Sequence, residues 1–260
     1  LEVYKGLLMS LAEPFPLYFP GDARRPFSSE SSTRRFAKVA QLEEGGRVLE
    51  LGCGPSGPAS VVLAQEFGCS VVAADSDELL LARMRDKVRS LALDGRVEVR
   101  RVDFARPAFR EGEFDAILCQ GRVLMSLPDA LGTLRPLLAH RGRLGFTYPV
   151  RVGRVTPRAV LEFWERRLGA GLVLPRELLQ QLALAGFEPE SVESLQDAEL
   201  DALYRELEPH LAKAPPEQAT WLREEMALHR ESGKATASYA FAVGRRREPG
   251  EKPPASRDRG

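Results

Sequence analysis

The chain is poor in the residues that staple small secreted domains or hold metals. Among its 260 residues are three cysteines, at positions 53, 69 and 119, and three histidines, at 140, 210 and 229. The cysteines form no C-x-x-C pair and leave an odd count, so neither a disulfide framework nor a metal site is expected. Excess charge of either sign is also missing, because Lys plus Arg equals Asp plus Glu at 37 each. With no global field to draw a polyanion, neither nucleic acid nor an anionic membrane surface is an expected partner. No run approaches the roughly 20 apolar residues that cross a bilayer, and the residues present show no signal-peptide pattern. A cytoplasmic location is expected. Apolar residues, by contrast, are plentiful at 43%. They are enough for a sizeable core, and the length suits one domain with a cap better than two cores.

The stretch Val48-Leu-Glu-Leu-Gly-Cys-Gly-Pro-Ser-Gly-Pro-Ala is the most informative part of the chain. A short apolar run reads as a buried strand, a glycine-rich turn follows, and Pro58 to Phe67 reads as a helix. Glycines let the backbone pass close to a ligand, and the helix N-terminus offers unpaired N–H groups. Val71-Val-Ala-Ala-Asp75 reads as a second strand ending in a carboxylate, suited to ribose hydroxyls. Gly52, Gly54 and Gly57 satisfy G-x-G-x-x-G with an acidic residue about 20 positions on, the fingerprint of a dinucleotide site. Glu50 argues otherwise. A carboxylate two residues before the first glycine would repel a pyrophosphate and attract a cationic ligand.

At these residues the chain resembles the class I S-adenosylmethionine (SAM)-dependent methyltransferases, whose first motif runs acidic-x-Gly-x-Gly-x-Gly. Here it reads Glu50-Leu-Gly52-Cys-Gly54-Pro-Ser56, with Ser56 in place of the third glycine and Gly57 one place late. The resemblance extends over roughly residues 30 to 148. Arg96 to Phe104 looks like the family's third strand and its acidic end, Phe114 to Gln120 like the fourth strand, and Leu134 to Phe146 like the helix, turn and fifth strand that follow. It implies an α/β fold, a doubly wound, mostly parallel seven-strand sheet whose last strand runs antiparallel between the fifth and sixth. The implied cofactor is SAM, held by Glu50, Gly52, Cys53, Gly54, Ser56, Gly57, Asp75, Ser76, Asp103, Phe104 and Gln120. In that scheme Glu50 takes the methionine amino group, Asp75 the ribose, and Asp103 with Phe104 the adenine.

The acceptor side is less legible. Methyltransferases that grip planar amide or amino nitrogens carry Asn/Asp-Pro-Pro-Tyr/Phe after strand four, where this chain has Cys119-Gln-Gly-Arg122. Nucleobase and glutamine acceptors are therefore disfavoured, and a small or medium-sized metabolite methylated at O, N or C is expected. Tyr148, Gln120 and Tyr18 are the pocket candidates. His140 falls at the far end of strand five, and His210 and His229 are expected to face solvent.

By composition, residues 1–28 form an N-terminal arm, 29–245 the cofactor domain with a helical insertion at about 197–235, and 246–260 a charged, Pro/Gly-rich tail expected to be disordered. Arm and insertion both carry aromatics, and the expectation is that they meet as a closable lid over the strand ends. Two other readings stay open: a FAD- or NAD-dependent oxidoreductase built on the Gly52–Gly57 loop, and a non-enzymatic SAM-binding regulator.

Overall fold

A computed structural model describes residues 29–120, 127–214, 216–231, 236–248 and 250–251. The N-terminal arm, with Tyr18, and Arg122 lie outside the described residues. The strands are β1 (Arg47–Leu51), β2 (Ser70–Asp75), β3 (Val97–Arg101), β4 (Phe114–Cys119), β5 (Leu138–Arg151), β6 (Phe187–Ser194) and β7 (Ala237–Arg246). They form one sheet in the order β3-β2-β1-β4-β5-β7-β6. β7 alone runs antiparallel, between β5 and β6. The apolar runs VLEL, VVAA and AILC become the central parallel strands because only residues apolar on both faces can lie between two layers of helix.

Helices α1 (Glu30–Val39), α2 (Pro58–Glu66), α3 (Glu78–Ser90) and α4 (Leu127–Leu134) accompany the first five strands. The starts of α1 and α3 are set by side-chain caps. Ser29 Oγ accepts from Ser32 N at 3.1 Å, and Asp77 Oδ1 accepts from Leu79 N at 2.8 Å. α1 seats on the sheet at Gly145, where a Cβ would come within 2.6 Å of the Phe36 ring and 2.8 Å of Phe241. A side chain there would prise the helix off the strand.

After β5 come α5 (Arg158–Leu168) and α6 (Pro175–Leu184), and between β6 and β7 lie α7 (Asp197–Leu207), a 3-10 segment (Glu208–Lys213) and α8 (Pro216–Glu231). Arg166 of α5 pairs with Glu224 of α8 at 2.6 Å, and the Arg167 guanidinium lies 3.2 Å from the Trp221 ring centre. These contacts fasten α8 to α5, beside the β5–β7 part of the sheet. Among the described residues no helix is long and apolar enough to cross a membrane.

Strand β5 is longer than the sequence implied and takes Tyr148 into the ladder opposite Ala240, where the expectation placed it just beyond the strand. The tail also begins later than position 246. Arg245 pairs with Glu251 at 2.5 Å, Arg247 N donates to Gly186 O at 3.0 Å, and His140 Nε2 lies 2.7 Å from Glu248 Oε2. Arg245 and Arg247 thus fasten the chain beyond the end of β7.

Candidate functional site

The carboxyl ends of β1, β2 and β4 lie side by side, and the glycine loop rises from the first of them. Gly52 N and Cys53 N both donate to Ala74 O, at 2.8 and 3.0 Å, so the loop is tied back to β2 as soon as it leaves β1. It can turn this sharply because Gly52, Gly54 and Gly57 have φ of +76°, +62° and +46°, the left-handed region that side chains disfavour. Gly57 is also the N-cap residue of α2 and sits against Met84, whose Cε would lie 2.3 Å from an added Cβ. This explains Ser56. The glycine that the backbone needs falls at position 57, so the preceding position tolerates a side chain.

Asp75 ends β2 buried at 2% exposure. Its Oδ2 accepts from Gly54 N at 3.1 Å, while Oδ1 accepts from Ser76 N at 2.7 Å and Asp77 N at 3.2 Å. One carboxylate therefore holds the glycine loop and the β2–α3 turn together. Asp77 caps α3.

Glu50, also buried, reaches the first turn of α2, where Oε2 accepts from Ser60 N at 2.8 Å and makes a short hydrogen bond with Ser60 Oγ. The helix starts with unpaired N–H groups and a positive dipole end, and α2 has no side-chain cap from Gly57. Glu50 supplies the missing acceptor from another element. Sequence reasoning had no means of finding this contact, since the partners are ten residues apart and no local motif joins them.

The remaining sequence-derived residues divide. Gln120 follows β4 at 3% exposure, next to the loop strand. Asp103 is exposed and its Oδ1 accepts from Ala105 N at 2.9 Å, an Asx turn just past β3, while Phe104 is buried in the core. Cys119 pairs with Phe146, so Tyr148 stands two residues further along β5; it is buried, and burial pushes its hydroxyl up to about 12. A phenol so hard to ionise is a poor base at neutral pH. His229, expected in solvent, is buried with Nε2 at 2.9 Å from Asp201 Oδ1.

The architecture is that of a doubly wound α/β protein with its ligand crevice at the carboxyl ends of the strands. Residues 48–142 match a family model described as a methyltransferase domain. Aklanonic acid methyltransferase DauC of Streptomyces sp. (strain C5) is 28% identical over 155 residues, 57% of this chain and 66% of that protein. Sterol 24-C-methyltransferase of Debaryomyces hansenii is 28% identical over 103 residues, 40% of this chain and 27% of that protein. The chain thus spans about a quarter of the length of the sterol enzyme. Among solved structures, the [4+2]-cyclase SpnF superposes with a TM-score of 0.68 at 22% identity, covering 94% of this chain and 93% of that one. A putative sarcosine dimethylglycine methyltransferase from Galdieria sulphuraria gives 0.69 at 14% identity, with coverages of 93% and 97%. At such identities these two likenesses establish the fold.

Proposed function

We propose that the protein transfers a methyl group from SAM to a small or medium-sized metabolite. The observation that carries this reading is the buried Asp75 carboxylate held against a glycine loop in left-handed conformation, at the carboxyl ends of adjacent parallel strands. The donor set fits the cofactor. A carboxylate offers about four acceptor positions and Asp75 uses three on backbone N–H groups, which leaves capacity for a ribose hydroxyl. The glycines keep the loop clear of side chains, and Glu50 adds negative charge suited to a cationic ligand. Gln120, Ser76, Asp103 and Phe104 complete the proposed contacts around the same strand ends.

When bound, SAM supplies a methyl group already activated on sulfur, so the protein's task is chiefly positioning and exclusion of water. Asp75 and the loop hold the cofactor, and Tyr148 contributes an apolar wall and a neutral hydroxyl. The insertion α7–α8 packs at the β7 side of the crevice. The relatives named as methylating aklanonic acid and sterols support a largely apolar acceptor. The likeness to a [4+2]-cyclase supports a second reading, in which this fold shelters a reaction other than methyl transfer. Calorimetry with SAM, S-adenosylhomocysteine, NAD and FAD tests the proposal. Binding of the first two alone is expected, and binding of a dinucleotide without them would overturn it.

A further inference from the structure

Two strands from the glycine-loop side of β5, the insertion encloses a second polar centre. Phe163 and Trp164 of α5, Tyr204 of α7, Glu225 and His229 of α8, and Tyr239 of β7 line a small recess with a cavity volume of about 20 Å³. Glu225 is 4% exposed. Its Oε1 accepts from Tyr204 Oη and from Tyr239 Oη, each at 2.7 Å, whereas Oε2 has no hydrogen-bond partner among the described residues. A buried carboxylate oxygen left without a donor is costly, of the order of 1–3 kcal/mol or more, and calls for a partner.

The other polar groups around the recess narrow what that partner is. Both phenol protons are committed to Glu225, so the phenol oxygens have only lone pairs left to offer. Ser238 Oγ donates to Leu195 O at 2.9 Å and is likewise spent as a donor. His229 Nε2 faces the Asp201 carboxylate at 2.9 Å and is engaged there. The two phenols and Ser238 therefore have no donor left for Oε2. Aromatic rings complete the lining, with Trp164 and Tyr239 edge-to-face at 5.9 Å, Phe163 and Trp164 at 5.3 Å, and Tyr204 and His229 at 5.2 Å. An ammonium has donors only and is drawn to aromatic faces, whereas a hydroxyl or carbonyl would bring lone pairs to a site already full of them. Arg167, stacked on Trp221, is the protein's own nearby cation and offsets in part the burial that pushes the Glu225 carboxyl up, but Oε2 takes no hydrogen bond from it.

We propose that this recess is an ammonium-recognition subsite, which anchors the protonated amino group of the methyl acceptor on Glu225 Oε2 against the rings of Trp164 and Tyr239. This rests on the methyl-transfer reading. Tyr239 faces Pro149 at the carboxyl end of β5, the same end of the sheet as the glycine loop. From β1 through β4 and β5 to β7 is three inter-strand steps, about 14 Å. The acceptor class is accordingly an elongated amine, long enough to reach from the recess towards the cofactor crevice. A protonated nitrogen has no lone pair with which to attack, so the anchored amine is a recognition handle and the methyl group goes to another atom of the ligand.

The experiment titrates n-propylammonium chloride, 1-propanol and potassium chloride into the protein, reading tryptophan fluorescence and melting temperature at constant ionic strength. A saturable response to propylammonium with a Kd on the order of 1–10 mM is expected, at least about tenfold tighter than to 1-propanol. Glu225→Gln should abolish that preference, and Tyr204→Phe, which keeps the carboxylate, should retain it. Circular dichroism establishes that each variant folds. If Glu225→Gln does not fold, the comparison of the two propyl probes on the unaltered protein decides alone. No saturable response to propylammonium, or an equal one to 1-propanol, overturns the subsite. S-adenosylhomocysteine binding with no amine preference would do so while leaving methyl transfer standing; the reverse pattern would overturn the amine's role as a methyl acceptor.

Discussion

Replacing Asp75 with asparagine separates two tasks that the structure combines in one side chain. The carboxylate accepts three backbone N–H groups, from Gly54 at 3.1 Å, Ser76 at 2.7 Å and Asp77 at 3.2 Å. Asparagine has nearly the same shape but one acceptor oxygen. If that oxygen stays on Ser76 and Asp77, the amide NH2 faces the Gly54 N–H, donor against donor, in a buried place. Losing a hydrogen bond to a charged group costs about 1.5–3 kcal/mol. For a chain of this size the melting temperature should fall by roughly 3–12 °C. The same range on the ligand side corresponds to an S-adenosylhomocysteine affinity lower by about 10- to 150-fold. Thermal unfolding by circular dichroism and calorimetric titration read the two effects on one sample. Asp77→Ala is the control. It removes the cap on Leu79 N, an exposed contact, and should cost about 1 kcal/mol of stability with ligand affinity unchanged. An Asp75→Asn protein that melts lower but binds normally would show that Asp75 only organises the loop. One that binds weakly but melts normally would refute the stabilising role of its three hydrogen bonds.

Gly145→Ala should destabilise the fold by about 1–3 kcal/mol through overpacking, because the new methyl would meet Phe36 and Phe241 at 2.6 and 2.8 Å; chemical denaturation checks it, and a neutral result would mean that α1 sits further from the sheet. Arg245 holds the Glu251 carboxyl at about 2, well below its ordinary value of 4.5. A depressed carboxylate stabilises the fold fully above pH 4.5, and the contribution is lost as pH falls through about 2. An NMR titration of Glu251 should find that low midpoint, and a midpoint near 4.5 would show that the chain end is not held.

Much of the cofactor side was readable because its signals are local. The runs at Val48–Leu51, Val71–Ala74 and Ala116–Leu118 are apolar apart from Glu50 and show no polar alternation, and this by itself places them in the middle of a parallel sheet. The glycines at 52, 54 and 57 mark a backbone that must turn through left-handed conformations, which they do. The start of α3 was not readable in the same way, and the cap that Asp77 places on Leu79 N is seen only in the structure.

What the sequence determined by itself was therefore the doubly wound order of elements, the glycine loop and the carboxylate that ends β2. Each follows from residues close together in the chain, where periodicity and backbone sterics act directly. Tertiary structure alone decided the partners of the buried charges. Glu50 went to Ser60 at the head of α2, the Arg245–Arg247 triplet went to the chain end and to neighbouring carbonyls, and Glu225 went to Tyr204 and Tyr239. A buried charge must find a partner wherever the fold brings one, often from a distant segment. Such pairings depend on packing across helices and strands and leave no local pattern to read. That is why the cofactor loop was legible and the recess around Glu225 was not.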